Sequence, residues 1–387
     1  MPADANRVGI KYRQMTGFDD LGSATIKDLR FTSESLKQTT DSASSDEIRS
    51  DRQRSDLIRT DVRAEGDINF ELSYAEYDPF LVAALQSATW SSSDTAMATA
   101  EAVTFTASSK TIDKDGGDWD NQPKVGDLIK VSGAAAANNN GVFTVETVPD
   151  GTSVTVKETT ITDESGTTVT VVKGDLIKNG TSEVFFAIQK DYNDVDGSTD
   201  LYDYFDNMVV DSMNLTIEPG SILTGGFSFM GSTATSADTL GSATASTTNP
   251  VANAVDNVPL VSEAQAAITG VTQISLSVGN NTRARSEIGR LGSAEPGSGT
   301  IDVTGTLQMY LASDDQIDKY LDWTTTSLCF AVKDSDGNGY TFCLPEVKFT
   351  DGQRLAGGIN TDVIAELSFT AYADADDGTI QIHRATD

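Results

Sequence analysis

A strand followed by a short helix occurs twice in this chain, and this repeat constrains the fold more than any other feature. The first copy, at 66–85, reads GDINFELSYAEYDPFLVAAL, and the second, at 299–321, reads GTIDVTGTLQMYLASDDQIDKYL. In each copy apolar and polar residues first alternate, which is the period of a half-buried strand. Apolar residues then recur at the three- and four-residue spacing of a helix. Two such copies indicate an internal duplication.

The composition favours a mainly β protein of more than one domain. A chain of 387 residues can bury two or three separate cores. Its hydrophobic content of 38% is too high for a disordered chain. The apolar residues fall in short alternating runs, which are typical of strands.

The charge balance excludes a conventional nucleic-acid-binding protein. Acidic residues outnumber basic ones 58 to 27, for a formal net charge of −31, so a smooth surface of this protein repels phosphate. No long apolar stretch occurs, and the N-terminal sequence MPADANRVGIKYRQ lacks the pattern of a signal peptide. We therefore expect neither Sec-dependent export nor a membrane anchor.

Composition shifts divide the chain into two β units with an arm, an insertion and a linker. We expect a polar N-terminal arm that is ordered only by neighbouring subunits, and a Ser-, Thr- and Ala-rich linker between the units. A strand at 24–31 is matched with one at 271–278. The expected divisions are the arm at 1–22, the first unit at 23–96 and 177–230, the insertion at 97–176, the linker at 231–262 and the second unit at 263–387.

The insertion explains why the two copies differ in length. In the second copy the strand TSLCFAVKD, from Thr326, follows the helix closely, whereas its counterpart TSEVFFAIQKD begins only at Thr181. Five short apolar runs separated by turn residues predict a small β-barrel or β-sandwich between them. The predicted strands are 103–107, 125–131, 142–148, 153–157 and 168–172.

The sequence offers no catalytic, cofactor or metal site. The only histidine, His383, lies five residues from the C-terminus, where we expect no core to position it. The sequence DSDGNG at 334–339 resembles a calcium loop but lacks the glutamate that would complete the ligand set, so we predict a hairpin turn. We expect a protein that is not an enzyme.

The two cysteines, Cys329 and Cys343, flank this turn at nearly opposite positions. We expect reduced core thiols, because adjacent strands strain a disulfide and a cytoplasmic chain keeps thiols reduced. The alternative is a hairpin disulfide that forms after release from the cell.

Several segments resemble the tail tube (major tail) proteins of long-tailed, non-contractile bacteriophages. They are SSDEIRSDRQRSDLIRT and GDINFELSYAEYDPFL in the first half, and ARSEIGRLGSAEPGSGTIDVTGTLQMYL, DSDGNGYTFCLPEVKFTDG and TDVIAELSFTAYAD in the second. The resemblance covers nearly all of both β units and not the insertion. It implies two tandem tube domains, each a β-sandwich or split barrel with one short helix.

The resemblance also implies a structural virion protein that forms the tail tube, a conduit for genome delivery. Open sheet edges of neighbouring subunits would join into closed rings, and the rings would stack. Such tubes commonly have six domains per ring, so two domains per chain predict pseudo-sixfold rings of three chains. Implied partners are further copies of the chain, the tail terminator, tape measure and tail tip proteins, and double-stranded DNA as non-adhering cargo. Assembly in the host cytoplasm is expected, without a membrane.

Two polar segments at corresponding positions, 33–62 and 279–298, are candidates for contacts between rings. A long loop of this kind is a solvated charged loop or an arm that pairs with another subunit through arginine and carboxylate groups. We predict the second role for Arg49, Asp51, Arg52, Arg54, Arg283, Arg285 and Arg290.

Acidic groups in the lumen would keep DNA phosphates from adhering to the wall. Candidates from the polar positions of the strands are Asp67, Glu71, Asp302 and Glu366, although alternation alone does not show which face looks inward. The alternative function is a secreted or surface adhesin whose β domains bind glycans or cells.

Overall fold

The computed structural model describes residues 4–92, 96–193, 195 and 200–387. The protein is mainly β, as predicted, and the described residues contain two α-helices. The first part of the chain contains β1 (Val8–Gln14), β2 (Lys27–Leu29), β3 (Ser33–Glu34), β4 (Lys37–Ser44), β5 (Leu57–Glu71) and α1 (Asp78–Ala84). The insertion contains β6 (Ala96–Thr106), β7 (Thr111–Lys114), β8 (Leu128–Ser132), β9 (Gly141–Thr147), β10 (Ser153–Val156) and β11 (Glu164–Val172).

The remaining elements complete the first unit and form the second. The first unit continues with β12 (Asp175–Lys178), β13 (Phe186–Tyr192), β14 (Leu201–Ile217), β15 (Thr224–Gly231) and β16 (Thr233–Thr235). The second unit contains β17 (Val261–Glu263), β18 (Ala266–Ala267), β19 (Val271–Gly279), β20 (Arg283–Arg285), β21 (Ala294–Gly297), β22 (Asp302–Tyr310), α2 (Asp315–Leu321), β23 (Thr326–Lys333), β24 (Gly339–Ala356), β25 (Val363–Tyr372) and β26 (Gln381–Ala385).

One continuous antiparallel sheet runs through both units. Its strand order is β5, β15, β14, β19, β22, β25, β24, and β3 and β4 lie outside β5. The N-terminal part of β14 leaves this sheet and pairs with β13, which pairs with β1. The N-terminal part of β24 likewise pairs with β23, which pairs with β17. Each unit therefore has two layers, with an apolar core between them.

The duplication is visible residue by residue in the pairing register. Gly66 lies opposite Phe229 in the first unit, and Gly305 lies opposite Phe369 in the second. A Cβ atom would lie 2.6 Å from the Ser35 carbonyl oxygen at Gly66 and 2.1 Å from the Ser275 carbonyl oxygen at Gly305. Only glycine fits where the neighbouring strand comes this close. Gly66 thus corresponds to Gly305, and not to Gly299 as the sequence repeat suggested.

The insertion is a closed six-stranded barrel in the order β10, β7, β6, β11, β8, β9. The sequence predicted five of these strands and missed the short strand β7. Alternation explains the fold, because each strand turns its apolar residues inward around Trp119, Phe105 and Phe143. The barrel packs against the second unit, where Leu128 and Val142 contact Ala331 and Ala385.

The expectation of an N-terminal arm ordered by neighbouring subunits is wrong for residues 8–14. These residues form β1, whose Ile10 and Tyr12 are buried in the core of their own chain. Its counterpart is β17, since β1 pairs with β13 and β17 with β23. The strand expected at 24–31 is shortened to β2, and its counterpart in the second unit is β18. The strand at 271–278, expected to be that counterpart, forms β19 and corresponds instead to β3 and β4.

The segment 33–62 is mostly a β-hairpin and not the loop that its polarity indicated. Its β4 pairs with the N-terminal part of β5 as far as Ser44 and Leu57, which leaves only 45–56 as the turn. The polar segment 231–262 carries β16 and the start of β17, and it buries Leu240, Ala252 and Leu260 against the two units.

The hairpin at the cysteines is confirmed, but the expectation of reduced thiols is wrong. Asp334 accepts hydrogen bonds from the backbone of Asp336 (2.9 Å) and Asn338 (2.8 Å), which fixes a turn between β23 and β24. Cys329 and Cys343 are direct partners across the hairpin, with Cα atoms 4.2 Å apart, and a disulfide joins them.

Candidate assembly interface

The two units are joined edge to edge within the chain. The C-terminal part of β14 pairs with β19 in an unbroken register from Ser212 opposite Gly279 to Ile217 opposite Ile274. On the core face of this joint, Met213, Leu215, Leu276 and Val278 are buried. The joint therefore combines backbone hydrogen bonds with an apolar core, as in the interior of a single domain.

The strands at the two ends of the sheet correspond to β14 and β19, the strands of the joint. Unlike β14 and β19, they have no partner strand on their outer side among the described residues. In the second unit, β24 corresponds to β14, and its residues 351–356 pair with β25 alone. In the first unit, β3 and β4 correspond to β19, and they pair with β5 alone. Arg354 is exposed, although its counterpart Leu215 is buried. In the described chain both ends of the sheet are open edges.

The hairpin β20–β21, which follows β19, folds over the first unit. Asn280 donates to the carbonyl oxygens of Ala84 (3.1 Å) and Val210 (3.0 Å). The Ser286 hydroxyl donates to Asp61 at 2.9 Å, and this hydrogen bond lowers the pKa of Asp61. These contacts cover the first unit with a segment of the second.

This cover explains why the two helices differ in exposure. Ala84 and Leu85, at the end of α1, are fully buried. At the end of α2, Leu321 is 66% exposed and Trp323 is 54% exposed. The surface of α2 lacks the cover that the second unit gives to α1.

The predicted arginines lie on two corresponding hairpins. Arg49, Asp51, Arg52 and Arg54 lie in the turn of the β4–β5 hairpin, where all are exposed. Arg49 and Asp51 form an ion pair of 3.0 Å, and the hydrogen bond from Arg49 lowers the pKa of Asp51. Because this pair is open to solvent, it contributes little to folding.

In the second hairpin the arginines have different surroundings. Arg283 and Arg285 lie exposed in β20. Arg290 pairs with Asp19 of the first unit at 3.0 Å, and its guanidinium lies over the ring of Phe18, 4.8 Å from the centroid. Arg290 thus fastens the hairpin to its own chain.

The four candidate lumen carboxylates lie on one face of the continuous sheet, the face opposite the core. Asp67 and Glu71 alternate with buried Ile68 and Phe70 in β5. Asp302 alternates with buried Val303 in β22, and Glu366 with buried Leu367 in β25. Glu366 accepts hydrogen bonds from Gln308 (3.1 Å) and Gln353 (2.7 Å) on neighbouring strands.

The rest of this face is polar across the joint. Between β15 and β25 most of its strand positions carry hydroxyl and amide side chains, with no lysine or arginine among them: Thr224, Ser228, Ser212, Asn214, Thr216, Gln273, Ser275, Ser277, Thr304, Thr306, Gln308, Ser368 and Thr370. In β24, Lys348 lies on the same face, opposite Thr370. Such a surface has few groups that attract phosphate.

His383 is buried, so the expectation that no core positions it is wrong. It lies in β26 between β12 and β24, and desolvation lowers its pKa to about 4. It lines a polar cavity of about 250 Å³ with Asp127, Lys173 and Asp377. Asp127 pairs with Lys173 at 3.2 Å within the insertion, whereas Lys124 pairs with Asp377 at 2.6 Å and so links the insertion to the second unit.

Within the described ranges, no group of three or more histidine, cysteine or carboxylate side chains could hold a metal ion. Neither helix of the described chain is long and apolar enough to cross a membrane.

Sequence reasoning missed two isoleucines on the hairpin turns. Ile48 and Ile288 are fully exposed, at 102% and 109%. Each isoleucine directly follows a glutamate, Glu47 or Glu287. The same Glu-Ile sequence in both polar segments could have identified these two residues. A second missed feature is Arg384, which bridges Asp78 and Asp175 at 2.5 Å each.

A family model described as phage tail tube protein matches residues 5–371, nearly the whole chain. No curated protein matches the sequence. A family match of this extent gives the chain a structural role in the phage tail tube, and it gives no support to an adhesin. The chain belongs to the phage tail tube protein family.

Proposed function

We propose that three chains close into a pseudo-sixfold ring, and that such rings stack into a tube through which the genome passes. The observation that carries this proposal is the joint between β14 and β19. This joint connects the two tube domains within one chain. The open edges at the two ends of the sheet, β24 on one side and β3 and β4 on the other, are what a joint between chains needs. Closing the ring removes both edges, which would otherwise be sites of uncontrolled aggregation.

The internal repeat supplies the register of the joint between chains. Asn214 lies opposite Ser277 within the chain, and the corresponding residues are Gln353 and Lys37. Gln353 of one chain should therefore lie opposite Lys37 of the next. The same correspondence pairs Asp351 with Thr39 and Ala356 with Glu34.

The exposed surface of α2 supports a second contact in the ring. Within the chain the β20–β21 hairpin covers α1, and the β4–β5 hairpin is its counterpart in the first unit. The β4–β5 hairpin of the next chain should cover Leu321 and Trp323 in the same way. Burying these side chains would add an apolar contact to the strand pairing.

The turns of the two hairpins are the proposed contacts between rings. Arg49, Arg52 and Arg54 in the first and Arg283 and Arg285 in the second are exposed and would pair with carboxylates of the adjacent ring, Arg49 in addition to or in place of Asp51. Arg290 holds the second hairpin in position for this contact.

The polar face of the sheet is the proposed lumen wall. The carboxylates Asp67, Glu71, Asp302 and Glu366 would give it a negative potential, so that DNA passes without adhering. The ends of the tube would meet the tail terminator, the tape measure and the tail tip proteins, after assembly in the host cytoplasm.

Cysteine cross-linking tests the ring. A chain with Gln353→Cys and Lys37→Cys should form interchain disulfides and migrate as covalent trimers on a non-reducing gel. The control pairs Gln353→Cys with Asp41→Cys, four residues along the same strand and therefore about 13 Å from the predicted partner. Equal cross-linking of both pairs, or a chain that stays monomeric by mass, would refute the proposed ring.

A further inference from the structure

We infer that Ile48 and Ile288 are equivalent apolar tips, and that one tip of each chain docks into the pocket at the joint between units of a second copy of this chain, in the adjacent ring, since the described part of each chain has one such pocket. This inference rests on the proposed stacking of rings. It names the apolar contact that holds one ring on the next, which the exposed arginines do not supply.

The two tips are equivalent by the internal repeat. Lys37 and Ser277 occupy the same register position in their units. Ile48 follows Lys37 at the same distance along the chain as Ile288 follows Ser277. Both side chains are fully exposed, at 102% and 109%. Single exposed apolar residues need no explanation, but a large one preserved in both hairpin turns indicates a shared contact.

A pocket of suitable chemistry lies at the joint of the two units. It has a volume of about 480 Å³ and is lined by apolar side chains, among them Ile217, Val258, Leu260, Ile268 and Ile274. Thr272 also lines it, and its buried hydroxyl finds no hydrogen-bond partner in the described chain. An inserted turn would offer backbone groups to that hydroxyl as well as an isoleucine to the apolar wall.

The pocket and the tips lie toward opposite ends of the molecule. The pocket includes Val271 and Ile274, at the beginning of β19, whereas the β20–β21 hairpin leaves from the end of that strand at Gly279. These strand ends are separated by about 27 Å at the usual rise per residue. A tip at one end and a pocket at the other make a heterologous contact, which builds an open stack.

Charge at the pocket rim complements charge at the tips. Glu146 and Lys157 of the inserted barrel line the pocket. Glu47 and Arg49 flank Ile48, and Glu287 precedes Ile288. Each tip therefore brings a glutamate toward a rim that carries Lys157 beside Glu146, and Arg49 of the first tip would face Glu146.

The occupant is thus a second copy of this chain, and variants of tip and pocket test it. The tip variant carries Ile48→Ser and Ile288→Ser. The pocket variant carries Val255→Glu, because Val255 is 71% exposed at the pocket and can change without disturbing the core. The control is Leu201→Ser, an apolar residue 51% exposed on β14. Native mass spectrometry reports rings, and negative-stain microscopy reports tube length.

We expect trimeric rings in all variants, with tubes shortened at least tenfold in the tip and pocket variants and unchanged in the control. Tubes of wild-type length in both variants would overturn the inference while leaving the ring intact. Loss of trimers in the tip variant would also overturn it, because the tips would then act within the ring. Absence of trimers in the wild-type chain would instead refute the proposed function on which the inference rests.

Discussion

Asp211 and Thr350 occupy the same place in the two halves of the chain. Each is the extra residue of a β-bulge, Asp211 between Val210 and Ser212, and Thr350 between Phe349 and Asp351. Each bulge lies where its long strand passes from the core of its unit to the edge that makes a joint. A bulge bends the strand and exchanges its faces. In β14 this bend turns the edge of the strand toward β19. The equivalent bend turns β24 in the same direction, where no described strand lies beside it.

The close strand approach at Gly305 predicts strong sensitivity to substitution. In Gly305→Ala the Cβ atom would lie 2.1 Å from the Ser275 carbonyl oxygen and 2.4 Å from the Phe369 ring. We expect a loss of about 2 kcal/mol in the free energy of unfolding, measured in urea. Gly116→Ala is the control, since nothing lies within 4 Å of its added Cβ. Equal stability of the two variants would contradict the strand geometry.

Arg384 should matter more to folding than a comparable surface arginine. It neutralises Asp78, whose side chain is 11% exposed and also accepts a hydrogen bond from buried Tyr340. Arg384→Met leaves this carboxylate uncompensated, which should cost about 3 kcal/mol in urea unfolding. Arg354→Met removes only an exposed pair with Asp314 and should cost less than about 1 kcal/mol. The prediction fails if the two losses are alike.

His383 should make folding stability fall with decreasing pH. Its pKa is about 4 in the folded chain, against 6.5 as the ordinary value, because burial opposes the charged form. The unfolded chain therefore takes up the proton first, and stability is lost as the pH falls from about 6.5 toward 4, by up to about 3 kcal/mol.

Comparison with His383→Gln isolates this contribution from that of the carboxylates. Urea unfolding at pH 7, 6 and 5 should show a steeper loss of stability in the wild type than in the variant. Parallel pH dependences would show that the imidazole is not buried as described. The neighbouring charges of Asp127 and Lys173 are present in both proteins.

The turn arginines should control stacking without controlling folding. Arg49→Glu and Arg52→Glu reverse exposed charges, so circular dichroism should show a folded protein, while tubes no longer form. Lys27→Glu and Lys130→Glu make the same charge change away from the hairpin turns and should leave tube length as in the wild type. Tubes of wild-type length in the arginine variant would contradict the assignment.

The polar sheet face should become adhesive to DNA when its charge is reversed. Asp302→Lys and Glu366→Lys place new cations on the proposed wall, so tubes should retain DNA in a manner that weakens with added salt. Asp118→Lys and Asp163→Lys make the same charge change on the inserted barrel. If both pairs of substitutions bind DNA equally, the face does not line the lumen.

Local patterns predicted most of the elements, whereas the family was indicated by the resemblance of whole segments. Alternation in β5 and β22 identified the strands and separated Ile68 from Asp67, because the two faces of a strand follow directly from the backbone period. The Asp334 turn and the small barrel were predicted for similar local reasons. The 33–62 segment was misread as a loop, since both faces of a projecting hairpin are polar and alternation disappears.

The sequence by itself determined the duplication, the two faces of each strand and the excess of negative charge, since these depend on residue type and spacing alone. Only the tertiary structure decided which strand lies beside which. It paired β1 with β13, buried His383 between β12 and β24, and joined β14 to β19 while leaving β24 and β4 open. Strand partners lie far apart along the chain, and their pairing depends on bulges and edge geometry that alternation does not encode.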